Sequence, residues 1–333
     1  MLSFIEKIVF VLLALGCFGA SFVTFGRMFR VISIGTNPLN WKDILKNWQV
    51  GLFAFFSQKT LFKTRPVVGL IHAFVAWGFT LYLIVNIVDV LYGFIPGFSF
   101  LPNNIIGNIY RLFVDVFSLL ILFGVVYFLA RRFILKDQRL EINKPVMLSE
   151  LAVSGMRFDS LLVGSFIILH VGSRFLSASF EIAHTQSDWS QPGANMMSKL
   201  WIGLQPDSIV MMEHITWWMA LGLILLFLPY FPMSKHAHLF MGPLNIMAKE
   251  KRRSMAAIEK IDFEDDSIEQ FGSSRLHHLP QTQLLDGYAC IQCSRCQDAC
   301  PAYVTGKELS PSALEINKRY FLNENLTDLA DGK

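Results

Sequence analysis

The chain has 333 residues, of which 53% are hydrophobic and 17% are charged. A composition so rich in apolar residues and so poor in charge excludes an ordinary soluble domain and indicates a membrane protein. The formal net charge of +3 is too small to favour nucleic acid as a partner. Residues 246–333 carry 25 of the 55 charged side chains, so the C-terminal quarter has the composition of a water-exposed segment.

Five segments are apolar enough to cross a hydrocarbon layer of about 30 Å, which takes roughly 20 residues of helix. They are residues 4–26, 67–92, 112–133, 159–180 and 208–230. The first segment lacks the leading basic residues and the cleavage site of a signal peptide, so we interpret it as a retained anchor. We therefore expect an all-α protein with a five-span transmembrane helix bundle, surrounded by membrane lipid in the cell membrane.

Basic residues are unevenly distributed between the spans. The connection 27–65 is rich in lysine and arginine, whereas 93–110 has no charged residue and 181–207 has only Lys199 as a basic residue. Because basic residues concentrate in cytoplasmic loops, this pattern predicts an external N-terminus and a cytoplasmic C-terminus. Within the first connection, apolar residues at helical spacing over 41–56 fit either an interfacial amphipathic helix or a packed loop.

Four cysteines lie close together near the C-terminus with the spacing C-x2-C-x2-C-x3-C-P. They are Cys290, Cys293, Cys296 and Cys300, with Pro301 after the last. This is the iron–sulfur ferredoxin spacing, which lets a tight loop direct several thiolates at one [4Fe-4S] cluster. A zinc knuckle or unliganded thiols are the alternatives, but zinc sites usually use two separated pairs.

The fourth cysteine of such a run binds the other cluster in two-cluster ferredoxins. This chain contains no second run, so Cys300 either completes a single cluster or belongs with ligands outside the chain. Ser310 and Pro311 predict the start of a helix after the run. We therefore divide the chain into a cytochrome-like membrane domain (1–245), a charged cytoplasmic linker (246–285) and the first part of an α-helical ferredoxin-like domain (286–333).

Ionisable residues inside spans are functional candidates by default, and three histidines qualify. His170 and His214 both lie about 18–21 Å from the inner face at 1.5 Å per residue, so they could be axial ligands of a b-type haem. Arg174, one turn beyond His170, could face a haem propionate or a quinone. The alternative is that these histidines are hydrogen-bonded within the bundle.

A second haem would need ligands nearer the inner face. His72 lies about 9 Å from that face by the same count. His236 and His238 are candidate partners, although two prolines interrupt the helix before them. Near the outer end, Arg111 and Asp115 are spaced i,i+4 and are predicted to neutralise each other.

Several segments together resemble a known family. They are QKTLFKTRP at 58–66, HAFVAWGF at 72–79, EHITWW at 213–218, LPYFPMSKHAH at 228–238, and LDGYAC at 285–290 through KELSP at 307–311. The chain is similar, over essentially its whole length, to membrane-bound iron–sulfur oxidoreductases related to heterodisulfide reductase. The N-terminal part of those proteins resembles the nitrate reductase gamma subunit.

The resemblance implies b-type haem in the bundle, exchange with the quinone pool, and a cytoplasmic α-helical ferredoxin domain. By position, His72 and either His236 or His238 match the inner-haem histidines of the family. Relatives commonly have another histidine where this chain has Ala220. They also continue into a second cysteine run and reductase modules, so we expect a C-terminally truncated chain or a split subunit.

The sequence thus favours a component of an oxidoreductase over a complete enzyme. It would transfer electrons between menaquinone or another quinone and a cytoplasmic partner, such as a reductase subunit or a flavoprotein. One or two b-type haems and a [4Fe-4S] cluster would carry the electrons. The first alternative is a haem-free anchor that tethers a ferredoxin module to a larger complex. The second is a transporter-like bundle with a regulatory cluster. Broken helices at matching positions in two halves of the chain would favour it, and the sequence shows no such symmetry.

Overall fold

The protein is described by a computed structural model. It covers residues 2–101, 103–142, 146–185, 187–249, 262–265 and 272–332. Over these residues the regular structure is helical, and the sole β-type pairing is an isolated bridge between Thr36 and Pro280. The all-α prediction is confirmed.

The described part of the chain contains fifteen α-helices. They are α1 (Phe4–Ser33), α2 (Trp41–Lys46), α3 (Trp48–Ser57), α4 (Lys59–Thr64), α5 (Pro66–Phe94), α6 (Ile105–Phe133), α7 (Glu150–Thr185), α8 (Pro192–Ser198), α9 (Pro206–Phe227), α10 (His238–Met247), α11 (Gln281–Ala289), α12 (Arg295–Asp298), α13 (Pro301–Val304), α14 (Pro311–Glu324) and α15 (Leu326–Ala330).

Five of these helices, α1, α5, α6, α7 and α9, are long and apolar enough to cross a membrane. The predicted spans are therefore confirmed, but several helices continue beyond them. The longest, α7, has 36 residues and begins at Glu150, nine residues before the predicted span. Hydropathy detects the lipid-compatible part of a helix, whereas the backbone hydrogen bonds continue into the polar flanks.

The chain divides into two compact units. The first comprises Met1–Phe22, Gln58–Glu141 and Met156–Phe231, and the second comprises Val23–Ser57, Ile142–Gly155 and Pro232–Lys333. The boundary differs from the composition-based division at residue 245. The reason is that Met28 and Ile32 at the end of α1 are buried in one hydrophobic core with Leu284 and Leu285 of α11.

The segment 41–56 forms two short helices, α2 and α3. Ile44 is buried, but Trp41, Trp48 and Phe53 leave half or more of their surface exposed. An exposed aromatic face on short helices favours the interfacial alternative over the packed loop.

Residues 250–261 and 266–271 of the predicted linker lie outside the described residues. Its C-terminal end is part of the second unit. There α11 begins at Gln281, whose side-chain oxygen accepts a hydrogen bond from the Leu39 backbone N–H at 3.0 Å.

Candidate functional site

The cysteine run forms a tight loop between α11 and α13. Gln292 and Ser294 adopt left-handed backbone conformations, with φ of 58° and 60°. For residues other than glycine this conformation costs roughly 1–2 kcal/mol each, and such positions cluster at functional sites. The two turns alternate with the cysteines, so the loop changes direction twice between Cys290 and Cys296.

The thiols of this loop interact with nearby backbone N–H groups. Burial raises the pKa of Cys290 to about 11, and the Gln292 N–H, which hydrogen-bonds the sulfur, opposes the rise. Burial and then the neighbouring Cys293 raise the pKa of Cys296, against the Gln297 N–H. N–H donors aimed at cysteine sulfurs are a feature of iron–sulfur sites, where they tune the potential.

The four cysteines are free thiols, with Cys296 exposed and the other three half-buried. Among the described residues, the structure contains no group of three or more His, Cys, Asp or Glu side chains placed to hold a metal ion. The backbone of the loop and its N–H donors fit a cluster, but the convergence of Cys290, Cys293, Cys296 and Cys300 on one remains a prediction.

Polar side chains behind the loop hold it on α14, and sequence reasoning did not identify them. Gln292 donates a 2.7 Å hydrogen bond to the Tyr320 hydroxyl. The Gln297 side-chain oxygen accepts a 2.9 Å hydrogen bond from the Ser310 hydroxyl, which in turn accepts the Ala313 N–H as the cap of α14. The predicted helix start at Ser310 and Pro311 is confirmed.

One fully buried arginine, Arg319, links this loop to a second segment. Its guanidinium donates to the carbonyls of Tyr288 at 2.8 Å and Cys290 at 2.9 Å. It also donates to the carbonyls of Met233 at 3.2 Å and Ser234. The loop and the 233–234 turn therefore share one cation.

His236 and His238 follow that turn. Ser234 caps it by accepting the His236 N–H at 3.1 Å, and His238 Nδ1 lies 2.7 Å from the Lys235 carbonyl. The two rings are 6.4 Å apart. Burial, with the charges of His238 and Lys235, lowers the pKa of His236 to about 3, so its ring is neutral at pH 7.

In the first unit, His170 is almost completely buried. Its Nδ1 lies 2.7 Å from the Ala220 carbonyl, which can only accept, so Nδ1 carries the proton. The ring stacks on Phe166 at 5.9 Å and meets the edge of Tyr82 at 5.6 Å. Ala220 thus binds His170 through its backbone carbonyl.

His214 lies at a different level of the bundle. It precedes Ala220 by six residues on α9, which corresponds to about 9 Å. Its Nδ1 is 3.3 Å from Glu6 Oε1, which also accepts the Trp218 indole N–H at 3.1 Å. The structure therefore does not place His170 and His214 at one depth, because their depths were counted from hydropathy edges that do not coincide with the helix ends.

His72 lies at a third level. Its Nδ1 is 2.7 Å from Gln58 Oε1, and its ring is 6.3 Å from that of Phe128. On α5 it precedes Tyr82, the neighbour of His170, by ten residues or about 15 Å. Two axial ligands of one haem have to face each other across the iron, so the three span histidines do not form such a pair among themselves.

A cavity of about 890 Å³ lies where α5 ends and α9 begins. Arg174 lines it, and its Nε is 3.2 Å from Asp89 Oδ2. The Asp89 backbone carbonyl accepts the Trp217 indole N–H at 3.0 Å. Sequence analysis placed Arg174 near a ligand, and the structure adds that its charge is matched by a carboxylate.

Further acidic and aromatic side chains line the same cavity and were not identified from the sequence. They are Glu181, Asp188, Glu213, Tyr92, Tyr110, Trp189 and Trp217. They come from several helices and connections, so their spacing along the chain does not predict that they line one cavity.

The predicted pair between Arg111 and Asp115 is wrong. Arg111 Nε lies 3.3 Å from Asp188 and donates to Ser190 at 3.1 Å. Asp115 accepts the backbone N–H groups of Gly193 at 2.7 Å and Ala194 at 2.9 Å instead. The free N–H groups at the start of α8 are a better partner for a buried carboxylate than a side chain on its own helix.

Comparisons with known proteins point to redox chemistry. The chain is 34% identical to the probable iron–sulfur-binding oxidoreductase FadF of Bacillus subtilis (strain 168) over 273 residues, which is 81% of this chain and 36% of that protein. It is 29% identical to the EtfAB:quinone oxidoreductase of Syntrophomonas wolfei subsp. wolfei over 275 residues, which is 82% of this chain and 37% of that protein. The chain spans about a third of the length of these curated relatives.

No family model matches the chain, and no solved structure matches it. The similarity to the two curated proteins supports an iron–sulfur oxidoreductase and electron transfer in general. The relation to heterodisulfide reductase and to the nitrate reductase gamma subunit stays a prediction.

Proposed function

We propose that this chain is the membrane part of an iron–sulfur oxidoreductase that transfers electrons between a quinone and a soluble redox partner. The observation that carries the proposal is the cysteine loop, whose left-handed turns and N–H donors fit a cluster, in a chain with five membrane-length helices. A cluster supplies one-electron chemistry, and the protein binds and orients it.

Cys290, Cys293 and Cys296 are proposed as ligands of the cluster whether or not Cys300 binds the same cluster. Cys293 stands between the other two and influences the pKa of each. Cys300 lies beyond α12, and it would either complete this cluster or serve a second one formed with residues outside this chain.

The cavity at the end of α5 is the proposed site for the quinone head group, from menaquinone or another quinone. Its aromatic walls suit a flat ring, and the Asp89–Arg174 pair offers hydrogen bonds without net charge. Glu213 lines the same cavity and would take up a proton released on quinol oxidation. The relative named as an EtfAB:quinone oxidoreductase supports a quinone and a flavoprotein-type partner.

A b-type haem is part of the proposal, and by the family resemblance His72 and either His236 or His238 are its leading candidate ligands. His72 donates from Nδ1 to Gln58 Oε1, which orients the ring, and Nε2 would be the nitrogen that binds iron. His170 fits better the alternative of a structural histidine that binds no haem, because its hydrogen bond and its aromatic neighbours hold it inside the bundle.

The test is an optical spectrum of the detergent-purified protein, oxidised and then reduced, together with haem, iron and acid-labile sulfide per chain. We expect a reduced b-type α band, and iron and sulfide in cubane ratio. His72→Ala should lose haem, whereas His170→Leu should keep it. Iron and sulfide without haem would contradict the cytochrome part and leave the haem-free anchor, and absence of both would contradict the proposal.

The quinone site is tested by steady-state oxidation of a soluble quinol analogue. Glu213→Gln should slow turnover about 100-fold if Glu213 accepts the proton, within the range for a general base. Glu150→Gln removes a carboxylate from the exposed start of α7 and serves as the matched control. Equal rates in the two variants would remove Glu213 from the site.

A further inference from the structure

Arg319 is a buried cation at the cysteine loop, and its environment is unusual for a charge. The residue is 1% exposed. Its hydrogen-bond partners among the described residues are backbone carbonyls, including those of Cys290 and Ser234. Carbonyl oxygens satisfy the N–H groups but do not neutralise the charge.

The part of the chain that the structure describes provides no carboxylate in an ion pair with Arg319. The acidic residue one turn earlier on α14, Glu315, pairs with Lys318 at 2.9 Å. Burying an uncompensated charge is costly, so proteins normally pair it with an opposite charge. The missing counter-charge has to lie close to the carbonyls that the guanidinium binds.

We propose that the counter-charge of Arg319 is the iron–sulfur cluster itself. The inference rests on the proposed function, since it requires the cluster at Cys290, Cys293 and Cys296. A cluster held by thiolates is anionic, and it gains one more negative charge on reduction. A buried cation beside Cys290 therefore stabilises the reduced state more than the oxidised state and raises the reduction potential.

The same guanidinium has a positioning role. It donates to Cys290 on the loop and to Met233 and Ser234 on the turn before His236, all within the second unit. Asn323, one turn later on α14, donates to the Met233 carbonyl as well, at 2.8 Å. Arg319 thus holds the loop against the segment that carries a proposed haem ligand, while its charge sets the potential.

The test is a redox titration of the whole detergent-purified protein, followed by the electron paramagnetic resonance signal of the reduced cluster. Arg319→Gln removes the charge and keeps some hydrogen-bonding capacity. We expect it to shift the redox equilibrium at least tenfold toward the oxidised cluster, which is about 59 mV for a one-electron couple. Lys318→Gln removes a cation from the adjacent position, where Glu315 already pairs with it, and should shift the equilibrium less than threefold.

Arg319→Lys keeps the positive charge and covers the case in which Arg319→Gln does not load a cluster. It should retain a redox equilibrium within threefold of the parent protein, and a tenfold shift in this variant would overturn the charge role. Equal shifts in Arg319→Gln and Lys318→Gln would overturn it as well.

Iron and sulfide contents distinguish a failure of the proposed function from a failure of the inference about Arg319. A parent protein without cluster contradicts the proposed function, and the inference with it. A loaded parent protein whose potential does not respond to Arg319→Gln contradicts the inference alone.

Discussion

Two arginines, one in each unit, are stabilised in opposite ways. In the first unit, half-buried Arg174 is paired with Asp89 at the wall of the cavity, so that its charge is matched by a carboxylate. In the second unit, Arg319 binds backbone carbonyls at the cysteine loop and has no carboxylate partner among the described residues. The first arrangement is electrically complete within the protein, whereas the second is completed by an anion.

This difference matches what each region would bind. A quinone head group is neutral, and an arginine that is already paired with a carboxylate can hydrogen-bond it without presenting a net charge. An iron–sulfur cluster is anionic, and a loop with an uncompensated cation is suited to hold it. The charge balance of each region is therefore a guide to the charge of its ligand.

The largest expected effect comes from breaking the complete pair in the first unit. Asp89→Asn keeps an oxygen that can accept from Arg174 but removes the negative charge, which should destabilise the protein by about 3 kcal/mol. Thermal unfolding in detergent would measure it. Asp188→Asn is the control, because the Arg111–Asp188 pair is more exposed.

The double variant Asp89→Leu with Arg174→Met removes both charges and should recover most of the lost stability. If the double variant is as unstable as Asp89→Asn, charge compensation is not what holds this region together.

A smaller effect is expected from the packing behind the cysteine loop. A Cβ atom added at Gly155 would lie 2.6 Å from Tyr320 Cδ1, and Tyr320 accepts the hydrogen bond from Gln292. Gly155→Ala should therefore cost about 2 kcal/mol through overpacking and lower the iron content. The matched control on the same helix is Gly172→Ala, where a Cβ meets nothing within 4 Å. Equal stability and equal iron content in the two variants would contradict this role for Tyr320.

The part of the molecule that could be predicted from sequence is the part set by local pattern. The five spans follow from long apolar runs, and the start of α14 follows from Ser310 and Pro311. The cysteine loop is recognisable because its four cysteines lie within eleven residues. In each case the signal and the structure share one short segment.

What the sequence could not predict depends on long-range contacts. Arg319 finds its carbonyl partners at Met233 and Ser234, some 85 residues earlier, and Arg174 finds Asp89 at the same separation. Asp115 was assigned to Arg111 because they are one turn apart, but the start of α8 offered it better donors. The histidine depths failed for a related reason, since helix ends depend on packing and capping as well as on hydropathy.

A weaker effect is expected at Asp115, a buried carboxylate that accepts hydrogen bonds from backbone N–H groups and does not pair with a cation. Its two oxygens accept from Gly193 and Ala194. Asp115→Asn puts an NH₂ group against one of these donors and should cost about 1 kcal/mol, as loss of a helix cap does. Asp207→Asn, at the exposed first turn of α9, controls for the loss of charge. A larger loss in the control would contradict the capping role.

The smallest effect is a pH dependence at the rim of the cavity. Burial opposes ionisation of Asp188, but hydrogen bonds from Ser190 and Gln191, together with Arg111, hold its pKa below the ordinary value. A lowered pKa means that the stabilisation is fully present above the unfolded pKa of about 3.9 and is lost as the pH falls through the folded value. The melting temperatures of the parent protein and Asp188→Asn should therefore differ slightly at pH 6 and converge as the pH falls through the lowered pKa of Asp188, since a partly exposed pair contributes about 1 kcal/mol or less. A difference that grows on acidification would show that Asp188 is protonated in the folded protein, and the rim would then carry an unmatched arginine like the second unit.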